Sequence, residues 1–526
     1  MRWRNGISSP MQRQNTKGWA TLYRRQWHSA CPVYLRMWAP SETSSTFDQM
    51  ARRFDSFPPL IQQRWRHHCP SSSPIRPPVF AWRWRVKISQ GNDFIQTITP
   101  GHTPSYWGFR PVPDAAKPNW ICAQQGAREH YAIPRALAGR NELALLLTDI
   151  WNKDSSFLGR MPGAIARRLR SRSHEDLREY AVRSFPFTFA RIEAMQRVRR
   201  EESSSYYAAR NERFDRLCKN GLQDFLSIDS NGDCLTVFAF AHACRDLFEF
   251  ARRVGCQTVL GQFDPGPAEA DIVEQEHFDR PEFRTTWKRY PESYVERWRE
   301  EIEHANRVVV NSTWSRNCLI GRGIDPSRIE VLPLAEVPSA APEFRRNFPD
   351  RFTRERPLRA LFLGQIILRK GVARLIDAAR ELVDEPIEFH LVGPTDIENL
   401  SELIDGLPIT WHGSAARSQV SQHYRDADVF LLPTLSDGFA LTQLEAQAWR
   451  LPVVATHRCG SVVEPNVNGL LLDEPTGPAI AAAIASLLES PERLVAMSSA
   501  TCIPRGGLDL LADGLLRTES KLRKVT

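Results

Sequence analysis

Residues 429–446 decide the fold and read Val-Phe-Leu-Leu-Pro-Thr-Leu-Ser-Asp-Gly-Phe-Ala-Leu-Thr-Gln-Leu-Glu-Ala. Four apolar residues, Val429–Leu432, predict a buried strand, and after a loop that contains Gly438 the spacing becomes that of a helix. The same alternation continues on both sides through further apolar runs: Leu358–Leu363, Ile387–Val392, Ile409–His412, Val453–Ala455 and Gly469–Leu472. Strands that alternate with helices at this spacing predict an α/β domain with a mostly parallel sheet covered on both faces.

Polar residues follow the predicted strand Val429–Leu432, and parallel sheets bind ligands at the carboxyl ends of their strands. Asp437 lies in the glycine loop, and Glu445 lies eight residues later, more than one turn into the predicted helix. Backbone N–H groups from Gly438 to Leu441 would point at an anion, while the two carboxylates would bind hydroxyl groups on either side of it. A sugar nucleotide has this layout. The alternative is that Asp437 caps the helix and Glu445 is a solvated helix residue.

Two adjacent cations follow the predicted strand Leu358–Leu363. The stretch Gly364–Gly371 reads Gly-Gln-Ile-Ile-Leu-Arg-Lys-Gly, so Arg369 and Lys370 lie between a glycine turn and a helix. Such a pair suits a diphosphate, which it can bind by charge-assisted hydrogen bonds next to a helix N-terminus. Basic loops are common, so this pair alone is a weak signal.

Taken together, these residues resemble glycosyltransferase family 4, the retaining group 1 transferases with the GT-B fold. The resemblance covers about residues 355–495 and rests on motifs in the family's order: Arg369-Lys370-Gly371, Leu391-Val392-Gly393, Trp411-His412-Gly413, Asp437-Gly438-Phe439 with Glu445, and Pro452–Thr456. The first half of the chain matches more loosely, through Val308–Ser312, Gln262–Pro267 and a glycine loop at Gln125–Arg128.

The resemblance implies an α/β protein of GT-B architecture, with two Rossmann-like domains facing a central cleft. We expect a basic, Arg/Trp/Pro-rich and poorly ordered extension at 1–115, an acceptor-side domain at 117–345, a donor domain at 355–500 and a C-terminal tail at 501–526. A Pro- and Arg-rich connector, Pro338–Pro357, marks the boundary between the two Rossmann-like domains.

The resemblance also implies a set of donor-binding residues. Arg369 and Lys370 would bind the donor diphosphate, and Glu445 would bind the nucleotide ribose. The other implied donor-binding residues are Gly126, Gly393, Gly438, Phe439, Ala440 and Leu441.

Two residues are the implied catalytic candidates. Asp437 would contact the transferred sugar. His242 follows the predicted strand Leu235–Phe240, on the side where some members of the family keep a histidine that faces the acceptor. The alternative for His242 is a histidine on a buried helix.

The chain departs from the family pattern at three places. The family usually has glutamate where Asp437 stands, so the carboxylate here is one methylene shorter. It often has glycine where Ala440 stands, and the glycine loop at Gly126 lacks a Gly-Gly pair.

The implied function is that of a hexosyltransferase-type enzyme. It would move a sugar from a nucleoside-diphosphate sugar to an acceptor, with retention at the anomeric carbon. No cofactor and no metal are expected, because two cations and a helix terminus already offset the charge of the leaving group. The acceptor is open between a glycan, a lipid-linked sugar and a small molecule. The alternative is a non-catalytic or low-activity sugar-nucleotide-binding scaffold with the same fold.

The motifs and the charge of the chain do not indicate a nucleotide-dependent oxidoreductase or NTPase, nor a nucleic-acid-binding protein. No strand is followed by Gly-x-Gly-x-x-Gly or by a Walker-type Gly-Lys-Ser/Thr, which a nucleotide-dependent oxidoreductase or an NTPase would use. Residues 1–110 hold 16 Lys or Arg and 4 Asp or Glu, whereas the rest of the chain is slightly acidic. The net charge of +8 therefore does not predict a nucleic-acid partner for the main body.

The composition predicts a cytoplasmic protein. No run of 18 apolar residues and no signal-peptide core stands in the sequence, and the 10 cysteines include no Cys-x-x-Cys pair. The basic stretch Arg160–Arg172 either makes a peripheral contact with the inner membrane surface or is a solvated helix face. The N-terminal extension is either an Arg/Trp-rich arm for RNA or anionic lipid, or a dispensable segment.

Overall fold

A computed structural model of the 526-residue chain describes residues 82–87, 93–98, 119–152, 172–199, 203–228, 235–334, 343–501 and 507–523. Most of the predicted extension and most of the basic stretch Arg160–Arg172 lie outside these ranges. Within the extension, strands β1 (Trp82–Lys87) and β2 (Asp93–Ile98) form an antiparallel pair. The described residues from 119 onward belong to one compact unit.

The first domain is built on a sheet of seven parallel strands. They are β3 (Trp120–Gln124), β4 (Leu143–Thr148), β5 (Val182–Ser184), β6 (Thr236–Phe240), β7 (Gln257–Gln262), β8 (Arg307–Val310) and β9 (Ile329–Val331), in the order β5-β4-β3-β6-β7-β8-β9. Seven helices belong to its described part: α1 (Ala132–Gly139), α2 (Pro186–Arg199), α3 (Ser203–Ile228), α4 (Arg245–Arg253), α5 (Pro267–Asp279), α6 (Glu292–His304) and α7 (Thr313–Gly321).

The second domain has a sheet of six parallel strands. They are β10 (Leu358–Leu363), β11 (Ile387–Val392), β12 (Ile409–Trp411), β13 (Val429–Leu432), β14 (Val453–Thr456) and β15 (Gly469–Leu472), in the order β12-β11-β10-β13-β14-β15. Its helices are α8 (Val372–Glu381), α9 (Leu400–Leu403), α10 (Arg417–Asp426), α11 (Leu441–Ala448), α12 (Gly477–Glu489) and α13 (Pro491–Ala500).

In each sheet the first strand of the domain lies in the middle. The next two strands are added on one side of it and the remaining strands on the other side, which is the arrangement of Rossmann-like domains. The central strands β10 and β13 are apolar and almost fully buried, as strands covered on both faces must be. The predicted fold class, two Rossmann-like domains with parallel sheets, is confirmed. The edge strand β5 was not predicted, because Val-Arg-Ser contains no apolar run.

Helix α14 (Gly507–Arg523) returns to the first domain after the second domain is complete. Glu519 accepts hydrogen bonds from Trp120 Nε1 at 3.2 Å and from Thr236 Oγ1 at 3.3 Å, both in the first-domain sheet. Its apolar side chains are buried in the first-domain core: Leu511, Ala512, Leu515 and Leu522. Most of the residues assigned to a C-terminal tail thus form a structural helix. Their periodicity does not reveal which domain they cover.

A segment of the first domain, residues 280–286, docks on the second domain. Phe283 is buried in the second-domain core, and Thr285 forms an isolated β-bridge with Ile397. The guanidinium of Arg280 is paired with the carboxylate of Asp377 on α8. These contacts fix the end of α5 against the second domain and so position the residues at its beginning.

None of the helices in the described part of the chain is both long enough and apolar enough to cross a membrane. The cytoplasmic location and the peripheral membrane contact stay predictions.

The packing of α14 leads to a prediction about stability. Leu515 is fully buried, so Leu515→Ala should lower the free energy of unfolding of the first domain by about 2–5 kcal/mol. Leu510 lies on the same helix and is 57% exposed, so Leu510→Ala should change it by less than about 0.5 kcal/mol. Urea denaturation of both variants measures the difference. Equal effects would contradict the packing of α14 on the first domain.

Candidate active site

The turn after β10 places the two predicted cations beside the loop after β13. Gly371 ends this turn with φ +78°, and a methyl group added there would lie 1.9 Å from the carbonyl oxygen of Pro433. Only glycine fits such an approach. The backbone N–H of Leu435 donates to the carbonyl oxygen of Arg369 at 2.9 Å, so the turn and the loop hold each other in place.

Both cations have partners among the described residues. The ammonium of Lys370 is hydrogen-bonded to a carboxylate oxygen of Asp437, and Arg369 Nη1 donates to the carbonyl oxygen of Ser436 at 2.9 Å. Burial, and then the adjacent charge of Arg369, lower the pKa of Lys370 to about 7, although Glu269 opposes the change. An additional anion at this turn would therefore stabilise the charged lysine.

Glu269 is a site residue that the sequence analysis missed. It lies in the first turn of α5 in the first domain, and its Oε2 accepts from Ser436 Oγ at 3.0 Å and lies 3.4 Å from Arg369 Nη1. Burial raises the pKa of its carboxyl group, and Arg369 opposes this shift. A sequence signal was present, because Glu269 lies two residues after the motif Gln262–Pro267.

The loop between β13 and α11 is in contact with the first domain. A methyl group added at Gly438 would lie 1.9 Å from the carbonyl oxygen of Phe263, so this position requires the close approach that only glycine allows. The ring of Phe439 is buried and packs on Gly460. Ala440 precedes α11 with φ +62°, in the left-handed region. Leu441 is the first residue of α11, so the amides of Gly438 to Leu441 lie at the N-terminal end of that helix.

Glu445 lies on α11, one turn beyond the loop. Its Oε2 accepts a hydrogen bond of 2.7 Å from the hydroxyl of Tyr424, a buried residue of α10. Burial and the charge of Glu445 raise the pKa of Tyr424 far above its usual value, so the phenol stays a donor. Tyr424 thus fixes one carboxylate oxygen of Glu445. The assignment of Glu445 to the nucleotide ribose stays a prediction.

Gly393 follows β11, next to the turn after β10. A methyl group added there would lie 1.7 Å from the carbonyl oxygen of Gly364. The two strand ends therefore approach each other closely, as a ligand site at the carboxyl edge of the sheet requires.

Gly126 lies at the carboxyl edge of the first-domain sheet, in the loop after β3. Its backbone N–H donates to Asp149 Oδ1 at 2.8 Å, and Arg172 and Arg210 are paired with the same buried carboxylate. In this state the amide of Gly126 is already used within the first domain, so a donor phosphate would have to replace Asp149 as its acceptor.

His242 lies in the loop between β6 and α4, not on a helix. Its backbone N–H donates to Glu301, a fully buried residue of α6, and its imidazole stacks on Tyr294 with ring centroids 4.4 Å apart. Burial lowers the pKa of His242, so the imidazole is neutral at pH 7. Its Nδ1 is buried and makes no hydrogen bond to any described residue. Phe263 lies between His242 and Gly438, so the residue faces the contact between the domains.

Residues 357–490 match the family model Glycosyl transferases group 1. The match covers most of the second domain. Two curated relatives, both named D-inositol 3-phosphate glycosyltransferase, come from Kineococcus radiotolerans (30% identical over 229 residues, 38% of this chain and 52% of the relative) and Geodermatophilus obscurus (31% over 239 residues, 41% and 51%). The chain thus spans about half the length of the curated relatives that it matches.

A solved structure shows the same fold. The sucrose-phosphate synthase of Thermosynechococcus elongatus superposes with a TM-score of 0.51 over 77% of this chain and 99% of that chain, at 13% sequence identity. At this identity the likeness concerns the GT-B fold alone. It extends the match from the group 1 domain to both Rossmann-like domains.

One departure from the group 1 pattern has a measurable consequence. Ala440 occupies a backbone conformation that costs an L-residue about 1–2 kcal/mol, whereas glycine adopts it freely. After allowing for the greater entropy of glycine in the unfolded chain, Ala440→Gly should raise the free energy of unfolding by up to about 1 kcal/mol. Ala446→Gly, inside α11, should lower it by about 1 kcal/mol or more. Denaturation midpoints that move in the same direction would contradict the strain at Ala440.

Proposed function

We propose that the chain is a retaining glycosyltransferase that moves a sugar from a nucleoside-diphosphate sugar to an acceptor hydroxyl group without an obligatory metal. The observation that carries the proposal is the pair Arg369 and Lys370, which lies against the loop of Asp437 at the contact between two Rossmann-like domains. The match of residues 357–490 to the group 1 family model supports sugar transfer as the reaction. The names of the relatives, which speak of glycosyl transfer, support it as well.

The electrostatics of the turn favour a diphosphate as the ligand. Two neighbouring cations repel each other, and burial adds to the cost of charging Lys370. The carboxylates of Glu269 and Asp437 compensate them in the structure described. A bound diphosphate would supply more negative charge at the same place and form charge-assisted hydrogen bonds with both side chains.

The same cations would assist the chemical step. When the bond between the anomeric carbon and the diphosphate oxygen breaks, negative charge develops on the leaving diphosphate. Arg369 and Lys370 are already oriented next to it by the turn, so they need little reorganisation. The acceptor oxygen forms the new bond to the anomeric carbon, and its proton passes to the departing diphosphate oxygen, which keeps the electron pair of the broken bond.

The two acidic residues would bind opposite ends of the donor. Glu445, oriented by Tyr424, would accept hydrogen bonds from the ribose hydroxyl groups. Asp437 would lie beside the transferred sugar, with the amides of the loop from Gly438 to Leu441. Once the diphosphate attracts Lys370, the carboxylate of Asp437 becomes free to stabilise positive charge at the anomeric carbon.

His242 would act on the acceptor side. Its imidazole is neutral, so it can exchange a hydrogen bond with an acceptor hydroxyl group without adding a charge. Glu301 holds the backbone of His242 at φ +73° and so fixes the direction of the side chain.

A scaffold that binds a sugar nucleotide without transferring the sugar is the second candidate. The specific observation in its favour is the ion pair of Asp437 with Lys370, which occupies the carboxylate that the reaction needs. Consumption of donor by the purified chain separates the two candidates.

The proposed donor site predicts the outcome of a binding panel. Nucleoside diphosphates and their sugars should raise the melting temperature of the chain, and one nucleotide should do so most strongly, by mass action. Arg369→Ala and Lys370→Ala should each weaken that ligand about 10- to 1000-fold, since each removes a charge-assisted contact of roughly 1.5–3 kcal/mol or somewhat more.

The control for this panel is Arg380→Ala, which removes an exposed arginine from α8 and should leave the affinity unchanged. Affinity should also fall as the pH rises through about 7, because Lys370 then loses its proton. Lys370→Arg should remove most of this pH dependence, because arginine keeps its charge. Unchanged affinity in both alanine variants would show that the diphosphate binds elsewhere.

The two carboxylates should affect the kinetics differently. Glu445→Gln should chiefly raise the donor KM, because the ribose contact exists before and during the reaction. Asp437→Asn should lower kcat more than it raises KM, because its contact strengthens in the transition state. Asp437→Glu restores the residue usual in the family and shows whether the shorter carboxylate limits the rate. Identical kinetics in all three variants would refute the assignment of this loop as the active site.

A further inference from the structure

Arg128 lies in the first-domain loop after β3, two residues beyond Gly126. Its carbonyl oxygen accepts a hydrogen bond of 3.0 Å from Gln124 Nε2, which fixes its backbone. Its guanidinium carbon lies 3.8 Å from the ring centroid of Phe263 and 5.1 Å from that of Phe240. The side chain is thus held in one place by two aromatic rings.

Among the described residues, no carboxylate is in direct contact with the guanidinium of Arg128, although Glu129 and Asp264 act on its charge from further away. Its guanidinium contacts the two rings, but it forms no hydrogen bond and no ion pair there. Burial lowers its pKa, and Glu129, Asp264 and Tyr294 only partly oppose that shift. Burying a charge is costly, so buried charges are normally paired. Cation–π contacts offset only part of that cost.

Three other arginines near these loops differ from Arg128 in this respect. Arg172 and Arg210 share the carboxylate of Asp149, and Arg369 lies beside Glu269. Arg128 is the exception within this group. Its position has a further cost, because the next three residues, Glu129–Tyr131, all have φ between +51° and +61°. The left-handed conformation strains the backbone of a non-glycine residue, and such strain is typical of ligand sites.

Aromatic residues surround Arg128. They are the ring of Phe263 and, in contact with that ring, the stacked pair of His242 and Tyr294. The buried Nδ1 of His242 has no hydrogen-bond partner among the described residues. The carbonyl oxygen of Phe263 touches Gly438, so these aromatic residues adjoin the loop that would hold the transferred sugar.

We propose that Arg128 binds an oxyanion, a phosphate or a carboxylate, that is carried by the acceptor. The proposal rests on the proposed function, since it places the acceptor next to the donor sugar. A guanidinium group matches the geometry of either oxyanion through two parallel hydrogen bonds. The proposed donor diphosphate is bound by cations of the second domain. The charged groups that act on Arg128 all belong to the first domain, so Arg128 is separate from that pair of cations. The acceptor is therefore an anionic molecule, and Arg128 selects it.

Inorganic phosphate and acetate are the probes that test this site. The full chain is first saturated with the nucleoside diphosphate that binds it best, so that Arg369 and Lys370 are occupied. Phosphate or acetate is then titrated at constant ionic strength, and its affinity is measured by the shift of the melting temperature. We expect saturable binding of at least one probe, and the tighter probe identifies the oxyanion.

Three variants decide the assignment. Arg128→Gln should weaken the tighter probe at least tenfold, Arg128→Lys should lose less, and both should be checked for folding by their melting in the absence of ligand. Arg253→Gln is the matched control, because Arg253 also lies over a phenylalanine, 5.4 Å from the ring of Phe250, but at the exposed end of α4. It should leave the affinity unchanged.

Three results would overturn the proposal. They are no binding of either probe to the wild-type chain, unchanged binding in both Arg128 variants, and a loss of nucleoside-diphosphate affinity in Arg128→Gln that equals its loss of probe affinity. The last result would assign Arg128 to the donor. A chain that binds phosphate through Arg128 but no nucleoside diphosphate would support the oxyanion site and contradict the proposed function.

Discussion

The arrangement of the site depends on two adjacent cations, Arg369 and Lys370, which lie on one short turn. The residues around them compensate their positive charge. Next to each other and half-buried, the two cations need negative charge, and each finds it in a different part of the molecule. Asp437 comes from the neighbouring strand end of the same sheet, and Glu269 comes from the other domain. Buried ion pairs contribute little net stability, because desolvation offsets the attraction. Under the proposed function, their presence is explained by the anionic donor rather than by the stability of the fold.

At two places in the site, glycine allows two backbone segments to approach each other more closely than any residue with a side chain would permit. At Gly371 the turn with the cations reaches the carbonyl oxygen of Pro433, and at Gly438 the acidic loop reaches that of Phe263. The first approach lies within one sheet, and the second joins two domains. The site is therefore a property of both domains together. The docking of residues 280–286 on the second domain keeps α5, and with it Glu269, in register with the turn.

Much of the second domain could be predicted from the sequence, because buried parallel strands read as plain apolar runs. Leu358–Leu363, Ile387–Val392 and Val429–Leu432 coincide with β10, β11 and β13. The proximity of Lys370 and Asp437 follows from the same rule, since carboxyl ends of neighbouring parallel strands share one edge.

Other features depend on contacts between distant parts of the chain, which no local pattern encodes. Glu269 looks like an ordinary helix residue until Ser436 and Arg369 are placed beside it. The apolar spacing of α14 suits a helix, but only the structure shows that it covers the first domain. Likewise, β5 is three half-buried residues, and its identity as a strand comes from pairing with β4.

The return of α14 to the first domain has a consequence for biosynthesis. During translation the second domain has all of its strands and helices once residue 500 has left the ribosome. The first domain, although it is synthesised earlier, still lacks Leu511, Leu515 and the carboxylate that pairs with Trp120. Its apolar core therefore stays incomplete until about 20 more residues emerge, a reversal of the usual N-terminal-first order of folding. Chaperones that recognise exposed apolar surface would meet the first domain during this interval.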